Sequence, residues 1–291
     1  MSISRQNLSI VIVTLKSEKV IHNCIQSINK NLPIIVVENS NNTEFKNNLE
    51  SKYHNVKCIL SKANLGYGAG NNIGIKLAAT NYVFVMNPDA TLKSDTLEEI
   101  FLASEKLGDF SILSPICSDS AFPNYGFFNK KKMLTDKNLP FKVDYVDGFS
   151  MLINKKKFKS NDYFDENFFM YLENVDLCRR VFNESGSIFI IPKAEINHKG
   201  AEAVDQNFYE EVELSRNWHW VWSKFYFNKK NFGILKAIRL SMATYISSIL
   251  KFLLFSAIGS NTKRKIYFNR ASGFYNALLG KASWYRPNIK D

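Results

Sequence analysis

An alternation of short apolar runs with amphipathic segments through the first hundred residues most constrains the fold. Four of the runs have the length of a buried strand and cover residues 8–15, 34–37, 56–60 and 81–86. Two segments between them, residues 18–29 and 66–79, repeat their apolar positions at helical spacing. Strands that alternate with helices favour a parallel sheet covered on both faces. We therefore expect an α/β fold built on a mostly parallel, Rossmann-like sheet.

The pattern becomes less regular in the middle of the chain. Further strands are predicted over residues 111–116, 124–128, 145–153 and 188–191, the last one ended by Pro192. A helix is predicted over residues 168–182. Beyond Asp205 the sequence has helical patterns and no strong strand signal. We therefore divide the chain into a sheet domain at residues 1–204 and a helical region at residues 205–291.

Charge is distributed unevenly along the chain, whose formal net charge is +11. From Arg216 onward there are fourteen Lys or Arg residues and one acid, Asp291. A near-neutral body thus carries a basic, aromatic C-terminal region, which indicates an anionic partner, either a membrane surface or nucleic acid. The hydrophobic share of 45% argues against a disordered chain.

The four cysteines, Cys24, Cys58, Cys117 and Cys178, form no CxxC pair. Their spacing argues against a zinc site or a disulfide framework and favours a reducing cytosol. The apolar run at residues 10–15 is too short for the core of a signal peptide and fits a buried strand. We therefore expect a cytoplasmic protein.

A glycine-rich turn, residues 64–74 with sequence NLGYGAGNNIG, runs into a predicted helix. Glycines let the backbone approach a ligand closely, and a helix N-terminus favours phosphate. The turn lacks the ending of a P-loop and follows the third strand, where a Rossmann fingerprint would follow the first. A tight turn that serves only helix–sheet packing remains an alternative.

Asn87, Pro88 and Asp89 directly follow the strand at residues 81–86. An acid at the end of a strand, near a phosphate-binding turn, suits a divalent cation that takes oxygen ligands. His198, expected in a loop, could complete the metal shell, and imidazole suits Mn²⁺ better than Mg²⁺. The alternatives are an Asn-Pro-Asp turn and a structural histidine.

An acidic and aromatic segment covers residues 164–180. On a helix Glu173 and Asp176 share a face, with Arg180 one turn further on. A carboxylate held on a packed helix can have a raised pKa, which suits a general base. A buried helix with a surface ion pair is the simpler alternative.

Taken together, these elements resemble the family-2 glycosyltransferases with the GT-A fold, specifically the bacterial rhamnosyltransferase-like branch. The matching pieces occur in the family's order at residues 11–14, 36–40, 64–74, 86–89, 146–148 and 164–180. The resemblance covers roughly residues 8 to 200. It implies transfer of a sugar from a nucleotide-sugar donor to an acceptor hydroxyl, with inversion at the anomeric carbon and with Mg²⁺ or Mn²⁺ as cofactor.

The resemblance also implies roles for individual residues. Asp89 matches the metal-binding acid of the DXD motif, Asn87 stands where many relatives have the first Asp, and His198 is a further metal candidate. The catalytic base is Glu173 or, as second choice, Asp176, because Asn174 replaces the acid of the family's Glu-Asp pair. The implied donor-binding residues are Thr14, Glu38 (in place of the more usual Asp), Asn39, Asn64, Gly66, Gly70, Asn72, Asn87, Asp147 and Gly148.

The resemblance favours dTDP-rhamnose as donor, and a UDP-hexose is the alternative. A sugar nucleotidyltransferase is a rival reading, but it needs a glycine-rich loop after the first strand, where this chain has Lys16, Ser17 and Glu18. A protein that binds nucleic acid through its basic tail is a third reading that nothing in the body of the chain supports. We expect a glycan or polyprenyl-diphosphate-linked acceptor and no nucleic acid.

The C-terminal region combines aromatic residues and cations, as membrane-interface segments do. An apolar helical stripe is predicted at Leu235, Ile238, Met242, Tyr245, Ile249 and Leu253. Lys251 interrupts the apolar run from Leu240 to Ile258, which favours helices lying on the anionic inner face of the cell membrane over a spanning helix. A helical appendage that packs on the core or forms a homodimer is the alternative.

Overall fold

A computed structural model describes residues 3–128, 138–159, 162–198, 200 and 202–289 of the protein. The chain forms two compact units. The first comprises Met1–Asp165 and Asn174–Asp205, and the second comprises Glu166–Glu173 and Gln206–Asp291. The division near residue 205 lies beside the boundary expected from the sequence. The assignment of residues 166–173 to the helical unit has no counterpart in the sequence pattern.

The first unit is built on one large mixed sheet. Its strands are β1 (Leu8–Thr14), β2 (Ile34–Glu38), β3 (Val56–Leu60), β4 (Tyr82–Met86), β5 (Ala90–Leu92), β6 (Ile112–Cys117), β8 (Phe141–Val143), β10 (Ser150–Asn154) and β11 (Ile188–His198). A separate short pair consists of β7 (Tyr125–Gly126) and β9 (Tyr145–Val146). The helices are α1 (Ile21–Ser27), α2 (Thr43–Lys52), α3 (Tyr67–Leu77), α4 (Thr96–Leu107) and α5 (Glu173–Asn183).

In the part of the chain that is described, the strand order is β3-β2-β1-β4-β10-β6-β11-β5, with β8 also paired to β11. The first four strands are parallel, and β10 runs antiparallel to both of its neighbours. The expected α/β fold with a mostly parallel sheet is confirmed, and so is the helical region that follows it.

Both faces of the sheet are buried, because alternate side chains of each strand enter two different apolar clusters. On β1, Ile10 and Ile12 belong to one cluster and Val11 to the other. Helix α3 covers the Val11 side at close range. A Cβ atom built on Gly74 would lie 2.4 Å from Val11 Cγ1, and one on Gly70 would lie 2.9 Å from Val13 Cγ1. These two glycines therefore let the helix pack on the strand.

Three sequence expectations about the middle of the chain are wrong. The strand predicted over residues 145–153 is interrupted between β9 and β10, so Asp147 and Gly148 lie between strands. Strand β11 does not end at Pro192, because a register irregularity between Ile191 and Glu195 accommodates the proline, as bulges do. His198 is consequently the last residue of a strand, and it pairs with Ala90 of β5.

The third correction concerns the acidic helix, which begins at Glu173 and not at residue 168. Tyr171 and Leu172 have φ angles of 70° and 67°, in the left-handed region that helical residues do not use. The apolar spacing of the preceding residues imitates a helical pattern. Helix α2, which the sequence analysis did not predict, starts behind an Asn42 side chain that accepts a hydrogen bond from Phe45 N at 3.0 Å.

The second unit is a three-helix assembly of α6 (Tyr209–Phe232), α7 (Ile234–Ala257) and α8 (Asn261–Leu278). Gly233 and Gly259, with φ angles of 83° and 73°, stand between consecutive helices. The buried apolar cluster of this unit consists of Trp218, Val221, Trp222, Phe225, Ala237, Phe274 and Ala277. Gly273 permits close packing of α8 on α6, because a Cβ atom there would lie 2.4 Å from the Trp218 carbonyl oxygen.

Candidate active site

The polar residues that follow the parallel strands lie at one edge of the first unit. Thr14 at the end of β1 is in register with Glu38 at the end of β2, and Glu38 is in register with Leu60 of β3. Strand β4 ends beside Ile12 of β1. The loops that follow these strands therefore converge, as the sequence predicts, and the carboxyl ends of strands are where α/β sheets bind ligands.

Glu38 is buried at this edge and is held by three hydrogen bonds. Thr14 Oγ1 donates to Glu38 Oε2, while the backbone N–H of Ser40, at 2.7 Å, and the Ser40 hydroxyl donate to Oε1. Burial raises the pKa of Glu38, and the Ser40 and Thr14 hydrogen bonds oppose that rise. The result is a fixed acidic group at the carboxyl edge of the sheet. Ser40, which was not among the predicted site residues, donates two of the three hydrogen bonds that hold Glu38.

The glycine-rich turn is fixed to the same edge by two asparagines. Asn39 Nδ2 donates to the Gly66 carbonyl at 3.1 Å, and Gly66 N donates to Asn64 Oδ1 at 3.1 Å. Gly66 has a φ angle of 85°, which favours glycine, and it immediately precedes α3. Asn39 Oδ1 is buried and accepts no hydrogen bond from any described residue, so it is an acceptor suited to a ligand.

Two predicted donor residues have structural contacts in the first unit. Both groups of the Asn72 amide bind the backbone of Phe164: Nδ2 donates to its carbonyl at 2.8 Å, and Oδ1 accepts from its N–H at 2.9 Å. Gly70 packs against Val13, as described above. These contacts favour a structural role for both residues. For Gly70 that role is helix–sheet packing, the alternative that the sequence left open for the turn.

Three polar side chains from different parts of the sheet lie close together. Asn87 and Asp89 follow β4, and His198 is the last residue of β11. His198 Nε2 is 3.3 Å from Asp89 Oδ1 and 3.5 Å from Asn87 Nδ2. The His198 ring stacks on Phe149, with 4.0 Å between centroids and 11° between planes. That stacking fixes the ring, and the pairing of β11 with β5 brings it to Asp89.

Asp147 and Gly148 lie between β9 and β10, close to the same group. Burial raises the pKa of Asp147, and the charge of His198 opposes that rise, so the two side chains interact electrostatically. The Tyr67 hydroxyl donates a hydrogen bond to the Gly148 carbonyl. A Cβ atom on Gly148 would lie 3.1 Å from the Tyr67 ring, so glycine permits this close approach. The sequence analysis missed Tyr67, which stands inside the glycine-rich turn.

The Asp89–His198 pair fits a divalent cation. Asp89 is 2% exposed on its side chain, and its Oδ1 atom, buried, accepts no hydrogen bond from any described residue. The 3.3 Å between Oδ1 and Nε2 is close to the roughly 3 Å that separates neighbouring ligands of an octahedral cation. Oxygen with imidazole nitrogen suits Mn²⁺. Within the described ranges no group of three or more His, Cys, Asp or Glu side chains is placed to hold a metal.

Glu173, the first residue of α5, has the properties of a general base. It is 6% exposed, and its Oε2 atom accepts no hydrogen bond from any described residue. Burial raises its pKa from 4.5 to about 7, with a smaller opposing effect from its own backbone N–H. A carboxylate with a pKa near neutrality can both accept and release a proton at physiological pH.

The other polar residues of α5 have partners within the first unit. Asp176 is buried, and its Oδ2 atom lies 3.5 Å from Arg180 Nε. Asn174 Nδ2 donates to the Val146 carbonyl at 2.8 Å. Of the two base candidates, Asp176 therefore takes part in an ion pair along the helix, whereas among the described residues no ion pair involves Glu173.

The segment that leads to Glu173, residues 166–173, is held by the helices of the second unit. Ser223 Oγ donates to the Met170 carbonyl, and Ser283 Oγ donates to the Asn167 carbonyl, each at 2.7 Å. Arg286 lies over the Phe169 ring, 3.9 Å from its centroid. These contacts fix the residues that directly precede Tyr171 and Leu172, the two residues with left-handed backbone. They join residues more than fifty positions apart, and no local signal in the sequence indicates them.

The sequence profile described as "Glycosyl transferase family 2" matches residues 9–161, which is more than half of the chain. The chain is similar to the low-salt glycan biosynthesis hexosyltransferase Agl10 of Haloferax volcanii, with 29% identity over 222 residues that cover 70% of each protein. It is also similar to an N-acetylglucosaminyl-diphospho-decaprenol L-rhamnosyltransferase of Mycobacterium tuberculosis, with 24% identity over 54% of this chain and 62% of that protein.

Among solved structures, the chain resembles the mannosyltransferase PcManGT of Pyrobaculum calidifontis, determined in complex with GDP-Man and Mn²⁺. The TM-score is 0.56 at 12% identity, and the match covers 94% of this chain and 88% of the other. This similarity concerns the fold, which is that of the GT-A glycosyltransferases.

Proposed function

Because this chain belongs to glycosyl transferase family 2, we propose that it transfers a sugar, with inversion, from a nucleotide-sugar donor to a hydroxyl group of a glycan or lipid-linked acceptor. The convergence of Glu38, Asn39 and Asp89 on the carboxyl edge of four parallel strands is the observation that carries this proposal. A biosynthetic role in bacterial surface polysaccharide agrees with it.

The donor would lie along this edge. Thr14 and Glu38 would contact the nucleotide base, because a buried carboxylate with fixed oxygens accepts hydrogen bonds from base N–H groups. Asn64 and Gly66 would approach the ribose and phosphates, where the glycine turn leaves the backbone accessible. Asn87, Asp147 and Gly148 would border the sugar. Asn39 supplies an acceptor oxygen for a donor hydroxyl.

Asp89 and His198 would hold Mn²⁺ or Mg²⁺, and the donor's phosphate oxygens would supply further ligands. The cation would neutralise the negative charge that develops on the departing nucleoside diphosphate. The Mn²⁺ in the structurally similar mannosyltransferase supports this assignment. Phe149 contributes by keeping the His198 ring in one orientation.

Glu173 would act as the base. As the acceptor oxygen forms its bond to the anomeric carbon, the bond from that carbon to the diphosphate oxygen breaks, and the acceptor proton passes to Glu173. Attack from the face opposite the leaving group inverts the anomeric configuration. The pKa of about 7 favours this role for Glu173, and Asp176 remains the second choice because of its ion pair with Arg180.

The L-rhamnosyltransferase relative supports rhamnose as the transferred sugar, for which dTDP-rhamnose is the proposed donor. The hexosyltransferase relative supports a hexose, for which a UDP-hexose is the alternative donor. Acceptors on a polyprenyl diphosphate agree with the name of the mycobacterial relative. The basic helical unit would then act at the inner face of the cell membrane, and a homodimer is a further possibility for that unit.

A donor screen tests the proposal. The protein should melt at a higher temperature with its nucleotide-sugar plus Mn²⁺ or Mg²⁺ than with either component alone. dTDP-rhamnose, UDP-hexoses and GDP-mannose should be compared, followed by slow hydrolysis of the stabilising donor. Stabilisation by a nucleoside triphosphate with a sugar phosphate, and by no nucleotide-sugar, would instead support the nucleotidyltransferase.

A further inference from the structure

Helix α7 has a continuous apolar face that no described part of the second unit covers. The face consists of Ile246, Leu250, Leu253, Leu254 and Ile258, which lie four, seven, eight and twelve residues apart from the first. Each of the five side chains is more than half exposed. We call these five residues the hairpin face, because α7 and the following helix α8 form a helical hairpin. Their spacing places them on one side of a helix.

Other residues of α7 are packed inside the second unit. Ala237 belongs to the buried cluster of the second unit, and Ile238, Met242 and Tyr245 pack against that cluster. The packed side also buries Ser241 and Ser248, so the larger apolar side chains of the second half of α7 lie on the outer side. Its length of 24 residues and mean hydropathy of 1.5 in the best window meet the requirements for a membrane span. Exposed apolar surface of this extent indicates an interaction site.

Cations border the hairpin face. Lys251 lies on the same helix, with its Nζ atom 5.1 Å from the centroid of the Tyr267 ring on α8. Lys263 Nζ lies 5.1 Å from the centroid of Phe255, and Arg264 follows directly on the exposed start of α8. Long cationic side chains that extend along aromatic rings place their charges at the level of a polar boundary.

We infer that the hairpin face of α7, with Lys251, Lys263 and Arg264 at its border, docks into the interface of an anionic lipid bilayer. The apolar side chains would enter the acyl boundary, and the three cations would meet lipid phosphates or carboxylates. This inference rests on the membrane part of the proposed function and names the lipid partner. It does not depend on donor binding, because the sheet edge proposed to bind the donor lies in the other unit.

The charges favour this occupant over a second copy of the chain. A two-fold symmetric contact would bring the hairpin face against itself and place the same three cations opposite one another. From Lys224 to Lys281 the sequence contains no acid to offset them. An anionic bilayer neutralises the cations while it covers the leucines.

The packing also favours docking over spanning. Helices α6 and α8 share the buried cluster with α7 and carry Lys229, Lys230, Lys265 and Arg270. If α7 crossed the bilayer with its packed side intact, charged residues of its neighbours would enter hydrocarbon at high cost. A helix lying in the interface needs only its outer face to be apolar.

Vesicle binding by the full chain tests the inference. Wild-type protein should sediment with vesicles of phosphatidylglycerol and phosphatidylcholine at low salt, and much less with pure phosphatidylcholine. Leu250→Ser combined with Leu254→Ser should reduce partitioning roughly tenfold or more. Leu102→Ser, at an exposed leucine of α4, is the matched control and should bind as wild type does. Equal binding by the double variant, or no binding by wild type, would overturn the inference.

A site-specific label separates the remaining occupants. The four native cysteines are buried, so an environment-sensitive fluorophore will react selectively at Leu253→Cys. Its emission should shift to the blue with anionic vesicles, whereas a label at Leu102→Cys should not respond. An alkaline carbonate wash should release the protein, and retention would point to a span and contradict docking. A dimer in vesicle-free solution that Leu250→Ser with Leu254→Ser converts to a monomer, without vesicle binding, would equally contradict it.

Donor binding distinguishes this result from failure of the proposed function. If the Leu250→Ser, Leu254→Ser protein loses vesicle binding yet keeps its melting shift with nucleotide-sugar and metal, both proposals stand. If wild type binds vesicles but no nucleotide-sugar, the docking face stands and the proposed transferase chemistry fails. The folded state of each variant is checked by the same melting curves.

Discussion

The two units depart from the usual distribution of polarity in opposite ways. At the carboxyl edge of the sheet, polar side chains such as Glu38 and Asp89 are buried, and Asn39 Oδ1 and Asp89 Oδ1 accept no hydrogen bond from any described residue. On the outer side of α7, apolar side chains such as Leu250 and Leu254 are exposed. Buried polar groups and exposed apolar patches are the two departures that carry information about function.

Each unit presents the kind of group that its expected partner would satisfy: buried polar atoms at the sheet edge and exposed apolar side chains on α7. Isolated buried carboxylate oxygens are costly in a protein interior, so their retention indicates a ligand or a proton in transit. Clustered exposed leucines are costly in water, so their retention indicates an apolar partner.

The largest expected effect follows from removing the proposed base. Glu173→Gln should lower turnover roughly 10²–10⁴-fold, because an amide cannot accept the acceptor proton. Donor binding, measured as a melting shift, should remain. The control is Glu184→Gln, at an exposed residue directly after α5, and it should be fully active. Undiminished turnover in Glu173→Gln would shift the role to Asp176.

The second prediction concerns the metal pair. Asp89→Asn should lower turnover about 100-fold and raise the Mn²⁺ concentration needed for donor stabilisation, because a neutral amide binds a hard cation more weakly. His198→Ala should act in the same direction with a smaller effect. Asp95→Asn, an exposed neighbour, serves as the control. An unchanged metal titration for Asp89→Asn would exclude it as a ligand.

The third prediction concerns pH. Because burial raises the pKa of Glu173 to about 7, the folded state holds this proton more tightly than the unfolded state, where the pKa is 4.5. The contribution of Glu173 to stability is thus fully present below about pH 4.5 and is lost as pH rises through 7. The loss amounts to roughly 3 kcal/mol.

Denaturant unfolding of wild type and Glu173→Gln at pH 5 and pH 8 measures this loss. The wild type should lose more of its free energy of unfolding between the two pH values than the variant does. In the same range, wild-type turnover should rise with pH with a midpoint near 7. Parallel stability profiles for the two proteins would show that Glu173 titrates normally.

The fourth prediction tests the packing under the donor edge. Gly74→Ala gains about 0.5–1 kcal/mol of helix propensity, but its Cβ would lie 2.4 Å from Val11 Cγ1. Overpacking costs about 1–3 kcal/mol, so we expect net destabilisation of roughly 1–2 kcal/mol in denaturant unfolding. Combined with Val11→Ala, the change should cost less than the sum of the single variants. Additive costs would mean that the two residues do not touch.

The smallest expected effect concerns the segment before Glu173. Ser223→Ala removes the hydrogen bond to the Met170 carbonyl and should cost about 1 kcal/mol of unfolding free energy. The substitution should also lower kcat by a larger factor than it changes KM. Ser256→Ala, whose hydroxyl donates within its own helix to Phe252 at 2.7 Å, is the control. Equal effects of the two substitutions would deny the segment a positioning role.

Local patterns predicted the parts of the fold that local chemistry determines. The strands from β1 to β4 were predictable because each is an apolar run of the right length between polar turns. The convergence of Thr14, Glu38 and Asp89 followed from the parallel order of those strands. The start of α5 was not predictable, because Tyr171 and Leu172 are left-handed and the residues before them are held by side chains distant in sequence.

The helical unit shows a second limit. The predicted stripe on α7 is only partly covered: Met242 and Tyr245 pack inside, whereas Leu253, further along the helix, is exposed. When a helix is apolar nearly all around, its sequence does not reveal which side its neighbours cover. A similar limit applies to strands. The predicted strand ended at Pro192, but a bulge lets β11 continue to His198.

The discontinuous second unit also imposes an order in time. Residues 166–173 are synthesised well before Ser223, and long before Ser283 and Arg286, yet all three of these residues hold the segment. On a ribosome the sheet edge of the growing chain is thus finished first, since domains fold as they emerge. The segment before Glu173 gains these contacts only after Ser283 and Arg286 have been synthesised, so a shorter nascent chain has the sheet edge before the proposed base is held in place.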